Sequence, residues 1–495
     1  MIISYKSLAI YTVAFTFVYY FLLGIYNVFF HPLRHCPGPL LWRASPLPKN
    51  IYMLRGTYAH KAREIHNKYK GTVRVAPNEL SYIHLQAWKD ILGRPLKNEM
   101  SKDMRYFGGD TFGRDSLVTT LPEDHTRMRR IFNSAFTNTA LMAQEPLLVK
   151  YADQMIDSMG ALVSRFGQVN LVDLFNFCTF DIMGDLTFGE PLHLLERGDY
   201  HPWVHNVFAG LKYVIYGVVL LEFPILGPLV KSVSARPLKK KAEGHQSFVG
   251  DLVNRRMEVK DHPKPDIWSF VLRRSGDEGK GLSYKEMHAN ATMFMVAGTE
   301  TTATVLSGVS YHLMRNPRVY GLLTKEIRAA FSRTEDMTTD RLAKLEYLNA
   351  VLQEGLRIYN PAGAGMPRIV PNGGAEVCGE FVPGGTLVSV NLHVAFKHPD
   401  NWARPDEFVP ERWLHPNDPE WKNDRRDVHE PFSYGPRNCI GRNLAWLELR
   451  LILAKTLWHF DMEMCPGMEG WVHQKAYITW EKGPLMAKLV PMKRQ

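Results

Sequence analysis

Apolar residues recur every third or fourth position through 138–165, 284–315, 318–331 and 443–458, which predicts long amphipathic helices in those stretches. Alternating patterns are rarer. GTVRVAPNELSYI (71–83) and AEVCGEFVPGGTLVSV (375–390) predict strands, the second with a hairpin turn at Val382-Pro-Gly-Gly-Thr386. The expected fold is therefore mainly α with a small β region.

One run has no period at all. Leu8–Phe30 carries 23 residues without a formal charge, enough to cross a hydrocarbon core of about 30 Å as a helix. A cleaved signal would have an apolar region of about 7–15 residues and a small-residue cleavage site, so 1–30 is expected to be a retained membrane anchor. HPLRHCPGPL (31–40) follows with three prolines and predicts an extended linker over 31–49. From 50 to 495 no repeat or break divides the chain, which reads as one large globular unit. A second apolar run, YVIYGVVLLEFPILGPLV (213–230), is interrupted by Glu222, Pro224 and Pro228; it predicts a core helix and loop, or a surface segment touching lipid headgroups.

With 495 residues and 45% apolar composition the chain can bury a large core. Cys36, Cys178, Cys378, Cys439 and Cys465 are odd in number and form no CxxC pair, which argues against a disulfide framework or zinc finger and for a reducing compartment. The net charge of +10 is spread thinly, with RPLKKK (236–241) as the one local run, so no nucleic-acid surface is expected. Arg34, Arg43, Lys49 and Arg55 follow the apolar span and only Lys6 precedes it, which puts the body on the cytosolic side. The sequon at Asn290 lies within a helical pattern and is expected to be unused.

FSYGPRNCIG (432–441) frames a cysteine with Phe432, Gly435, Arg437 and Gly441. That thiol could be a metal ligand, a nucleophile or a core residue. Leu444, Leu447, Leu451, Ala454 and Trp458 predict a helix starting just after it, whose N-terminal N–H groups favour thiolate. The two glycines would let a flat group approach the backbone, Arg437 could pair with an acidic edge, and Phe432 could shield the sulfur. Within MFMVAGTETTATVLSG (293–308), Ala297, Thr301 and Thr304 share a helix face and Gly298 leaves room beside it. Glu300 and Thr301 together supply an acid and a hydroxyl, the pair that a proton-delivery path needs. Glu354 and Arg357 stand three apart on one helix, a spacing usually worth only about 0.2–0.5 kcal/mol.

These stretches resemble the cytochrome P-450 family of haem-thiolate monooxygenases. Its cysteine loop F-x-x-G-x-R-x-C-x-G, its A/G-G-x-D/E-T-T helix and its E-x-x-R followed by P-E-R-F are matched in order, with Trp413 replacing the Phe after Pro410-Glu411-Arg412. The resemblance implies haem b with Cys439 as its iron ligand, in a pocket that includes Phe432, Gly435, Gly441 and Ala297. It implies Glu300 and Thr301 as catalytic residues; Arg437, Arg368, Arg129 and His125 as propionate partners, with His125 in place of the commoner Trp; and Glu354, Arg357 and Arg412 as a network holding the loop.

It also implies electrons from a separate NADPH–cytochrome reductase or a cytochrome b-type donor, and a single-pass protein of the endoplasmic reticulum membrane. The substrate would be a hydrophobic small molecule held against the Ala297–Thr304 face, with Phe107–Leu117 and 213–230 as walls. FFHPLRHCPGP, EDHTRMRR and GGAEVCGEFVPGGT are similar to microsomal fungal members that tailor secondary metabolites, such as trichothecene-type C-15 hydroxylases. A haem-thiolate isomerase or dehydratase would usually lack the acid–Thr pair, and a haem sensor would need neither that pair nor the anchor.

Overall fold

In the computed structural model, which describes residues 5–107, 115–223, 248–259, 266–274, 281–363 and 365–492, the uncharged N-terminal run is a single helix, α1 (Tyr5–Phe29). Its Ile10–Phe29 portion is long and apolar enough to cross a membrane and is largely uncovered by the rest of the chain.

The proline segment is not the free, extended spacer its composition predicts. Turns over 31–36 lead into short helices at Leu40–Ala44 and Leu47–Arg55, and Leu33 and Cys36 are buried. The reason is docking. Arg74 Nη1 donates to Leu33 O at 3.2 Å, Asn27 Nδ2 donates to Ala44 O at 2.9 Å, and a side chain on Gly38 would overlap the Arg74 carbonyl. Lys49 is withdrawn from the flanking charge altogether, buried against Glu79 and Tyr106.

The body is built on helices α2 (Pro122–Asn133), α3 (Asn138–Phe166), α4 (Leu171–Phe188), α5 (Pro202–Leu221), α6 (Tyr284–Arg315), α7 (Glu346–Ile358) and α8 (Arg442–His459). α6 runs through the main core between α4, α7 and α8. Ser283 and Glu286 close its N-terminus as a capping box, which satisfies two otherwise orphaned backbone donors. Pro317 opens the next helix, Pro317–Ala330, where its missing N–H costs nothing. A Cβ on Gly298 would come within 2.7 Å of Met183 Sδ. The room beside Gly298 is thus taken by a side chain of α4, and the glycine sets how closely the two helices approach. Asn290 is fully buried, accepting from Leu117 N at 2.8 Å and donating to Glu286 O, so its sequon cannot be glycosylated in the folded chain.

Five strands form the larger sheet: β1 (Val73–Ala76), β2 (Glu79–Tyr82), β3 (Ser101–Lys102), β4 (Arg368–Ile369) and β5 (Leu387–Val390), in the order β1-β2-β5-β4-β3. β2 and β5 are parallel, while β3 pairs antiparallel with β4 and sets Lys102 opposite Arg368. The hairpin turn in 375–390 falls earlier than the Pro-Gly-Gly signal predicts. Strands 375–377 and 380–382 turn at Cys378-Gly379, both at positive φ (54° and 80°), and 383–386 instead carries the chain across to β5. Consecutive positive φ values match the twist of a two-residue turn, and this local geometry decides the pairing. Within 213–230, residues to Leu221 belong to α5, with Val214, Ile215, Val218 and Val219 buried near Met53 and Tyr106; 224–230 and the basic run 236–241 lie outside the described residues.

Candidate active site

Cys439 lies three residues before α8, in a loop shaped by its glycines. Gly435 sits at φ +76°, and a Cβ there would collide with the Leu92 carbonyl, so only glycine permits this turn against the 88–92 segment. The loop is closed by Cys439 N donating to Phe432 O at 2.8 Å. The sulfur itself is uncovered by protein, and a Cβ on Gly441 would stand 3.9 Å from it. Although Cys439 is open to solvent, the protein packed around its recess desolvates the thiol and pushes it above its usual pKa, outweighing the Gly441 N–H and the charges of Arg129 and Arg442. A metal bound at the sulfur would favour the thiolate further.

On α6, Met293, Val296, Ala297, Gly298 and Thr301 form a partly uncovered stripe on a helix that is otherwise largely buried. Thr301 Oγ1 donates to Ala297 O at 2.7 Å. Thr304 does not share this surface: it is fully buried and faces the C-terminal segment. Glu300 also turns away from Thr301. Its carboxylate pairs with Lys482, accepts from Thr304 Oγ1 at 3.4 Å, and keeps Oε2 buried without a partner.

Basic side chains converge beside the cysteine loop from four segments: Lys102 on β3, His125 and Arg129 on α2, Arg368 on β4, and Arg437. Arg129 grips the residue before Cys439, with Nη1 donating to Asn438 O at 2.6 Å and Nη2 to Asn438 Oδ1 at 2.8 Å. Arg368 Nη1 donates to Met100 O at 3.1 Å. Glu99 is the carboxylate that pairs with this group, bidentate on Arg437 at 2.7 Å for both contacts. Burial and the surrounding cations push His125 down to about 3 and Arg368 to about 10, and hold Lys102 far below the ordinary lysine range. His125 Nδ1 and Arg437 Nη1 are buried with no partner. An excess of buried cations with orphaned donors fits a ligand that brings carboxylates. Together with an uncovered sulfur and a glycine-bordered surface, the residues present fit an iron-bearing, planar, acidic macrocycle.

Glu354, Arg357 and Arg412 are all fully buried and joined. Arg357 contributes two bonds to Glu354 at 2.7 and 2.9 Å, and Arg412 Nε one at 3.2 Å. Trp413 Nε1 donates to Glu354 Oε2 at 2.9 Å, and Arg412 also pairs with Asp424. Burial alone would raise the Glu354 carboxyl, yet Arg357, Arg412 and the Val409 N–H hold it below its usual value. The network reaches toward the cysteine loop through His429, whose ring lies 4.8 Å from Trp413.

Sequence reasoning did not find Glu99, Lys102, Asp424 or Lys482, which carry no motif. The available signal was the bare presence of charges in stretches that pair with the motif segments. Of the expected pocket walls, 108–114 lies outside the described residues, and Leu117 is a core residue. A cavity of about 40 Å³ is lined by Met53, Tyr58, Ile215, Met366, Tyr477 and Ile478, with Lys49, Glu79 and Tyr106 on its polar side.

The family profile described as "Cytochrome P450" matches residues 37–488. The chain is 44% identical to the cytochrome P450 monooxygenase FUM2 of Gibberella moniliformis, over 95% of this chain and 100% of that protein. It is 40% identical to the cytochrome P450 monooxygenase efuB of Hormonema carpetanum, over 97% and 95% respectively. It is 39% identical to a trichothecene C-4 hydroxylase of Trichoderma arundinaceum, over 94% and 93%.

Proposed function

The chain belongs to the cytochrome P450 family, and from that premise we propose that it is a membrane-anchored enzyme oxidising a hydrophobic secondary metabolite, with Cys439 as the iron ligand. It is a haem-thiolate monooxygenase. Haem, when bound, supplies the activation of dioxygen by which one oxygen atom enters a C–H or C=C bond and the other leaves as water, using two electrons and two protons. The electrons come from a separate reductase, which we take to be an NADPH–cytochrome reductase or a cytochrome b-type donor.

The observation that carries this reading is the uncovered Cys439 sulfur beside buried donors of His125 and Arg437 that lack partners. In it, Arg437, Arg368 and neutral His125 hold the acidic edge of the cofactor, while Arg129 fixes Asn438 and so the position of the sulfur. Thr301 offers its hydroxyl at the uncovered stripe of α6. Glu300, paired with Lys482 behind that stripe, would feed protons toward it.

We place the chain in the endoplasmic reticulum membrane through residues 8–30, with its body in the cytosol; the support is the apolar helix and the positive residues that follow it. The likeness to a fungal protein named as a trichothecene C-4 hydroxylase supports a secondary-metabolite substrate, which we take to be a terpenoid, polyketide or alkaloid. The test is a reduced carbon-monoxide difference spectrum on wild type and Cys439→Ala, followed by metabolite comparison between producing and knockout cells with labelled dioxygen. A thiolate-type spectrum that survives Cys439→Ala would overturn the ligand, and unlabelled product the monooxygenation.

A further inference from the structure

Arg437 is held on one edge only. Glu99 Oε2 accepts from Nε and Oε1 from Nη2, each at 2.7 Å, and Thr120 O accepts from Nη2 at 3.2 Å. Nη1 has no partner, although the side chain is about 6% exposed. A guanidinium is a rigid planar fork, so fixing Nε and Nη2 also fixes the direction in which Nη1 presents its two protons. A free arginine would turn to satisfy all its donors, because a buried unsatisfied one costs about 1–3 kcal/mol. Here that freedom is removed.

Glu99 lies well away in sequence from the residue it restrains. It follows the 3-10 turn Leu96–Asn98 and precedes β3, whose pairing with β4 brings Arg368 Nη1 to 3.8 Å from the same carboxylate. One acid therefore touches two of the basic groups at the site and leaves each with donors to spare. Three permanently or potentially cationic side chains, Lys102, Arg368 and Arg437, lie about it. Unrelieved, their repulsion would push the arginines apart before any ligand arrived.

We infer that Glu99 is a positioning residue for the cofactor: it locks Arg437 so that Nη1 faces an incoming haem carboxylate, and it holds the cationic cradle together. The inference rests on haem binding beside Cys439 with Arg437 at its acidic edge. Glu99 itself need not touch the haem. Paired with Arg437, two residues before Cys439, its carboxylate would also disfavour an added electron on a metal bound there and so lower the reduction potential.

The test uses the full-length, haem-loaded protein in detergent, with Glu99→Gln and Glu99→Ala, and Glu64→Gln as an exposed-acid control. The rate of haem transfer to apomyoglobin should rise on the order of tenfold in both Glu99 variants and stay unchanged in the control. The ferric–ferrous midpoint potential should rise in both. In an Arg437→Lys background, Glu99→Gln should add little to haem loss, because no fork remains to orient. Should Glu99→Ala fail to fold, the isosteric Gln variant gives the same readings. Wild-type haem-transfer rate and potential in these variants would overturn the inference. So would a raised potential with unchanged haem loss, which would reduce Glu99 to a nearby charge. A wild-type chain that takes up no haem would instead overturn the cofactor reading on which the inference stands.

Discussion

Lys482 donates to the carboxylate of Glu300 in the middle of α6 and, at 2.7 Å, to Thr304 Oγ1, and both members of the ion pair are almost wholly buried. This pair ties the C-terminal segment to the helix that carries Thr301. Removing one partner of a buried pair leaves an uncompensated charge, so Lys482→Met should destabilise the folded chain by about 3–5 kcal/mol. Lys482→Met combined with Glu300→Gln should recover most of that loss. Denaturant unfolding of the haem-loaded single and double variants measures both.

Thr301 is the hydroxyl on the uncovered stripe of α6, and its own proton is committed to Ala297 O. Its oxygen remains able to accept and relay a proton. Thr301→Ala should leave the carbon-monoxide spectrum intact while product formed per NADPH consumed falls by about tenfold or more and peroxide rises. Unchanged coupling would remove Thr301 from the proton path.

The carboxyl of Glu448 on α8 is pushed up to about 8 by burial, against a smaller opposing effect of the Thr302 hydroxyl. The unfolded chain releases this proton near pH 4.5, whereas the folded chain keeps it to about pH 8. In that window the folded state binds more protons, so its stability falls as pH rises, by up to about 1.4 kcal/mol per pH unit. Glu448→Gln should flatten this slope and be the more stable protein above pH 8. Unfolding free energies across the window decide it.

The cysteine loop, the Thr-bearing helix and the Glu354–Arg357 pair were legible because each is a contiguous stretch whose spacing already defines a local geometry. Helix limits came out within a residue or two for the same reason: 284–315 is bounded by a capping serine and by Asn316-Pro317. What the chain hides is side-chain company from distant segments. Lys482 stands 182 positions from Glu300 and Glu99 stands 338 from Arg437, and no period or motif joins them. The surroundings of Gly298 were misread because a glycine's gap does not reveal what fills it, here Met183. The linker was misread because its prolines signal stiffness and say nothing of the Arg74 surface that receives it.

Membrane attachment offers a further test, because α1 is not the sole apolar surface at this end. Leu40, Leu41, Leu47, Ile51 and Leu54 are exposed on the two short helices that follow it. A chain lacking residues 1–30 should therefore fold, bind haem and leave the membrane pellet only in part. Adding Leu40→Ser and Leu41→Ser should release the remainder, since fully burying each leucine is worth about 1.5–3 kcal/mol. Sedimentation with liposomes measures the split, and complete release by the truncation alone would assign attachment to α1.

Trp413 stands where the family motif has Phe, and the indole uses the difference: its Nε1 donates to Glu354 Oε2 at 2.9 Å, the same oxygen that accepts from Arg357 Nε. Glu354 thereby receives donors from Arg357, Arg412, Val409 N and Trp413. Trp413→Phe restores the family residue yet removes a donor from a fully buried carboxylate and leaves a gap beside Trp402 and His429. Loss of a charge-assisted buried bond costs about 1.5–3 kcal/mol, so the variant should unfold earlier in denaturant by that amount. His429 packs at a tilt against the indole and lies three residues before Phe432, so the loosening should reach the cysteine loop and appear as conversion of the thiolate-type spectrum to its inactive form at lower denaturant. If the spectrum instead persists to the wild-type denaturant concentration while global stability drops, the network supports the fold without reaching the loop.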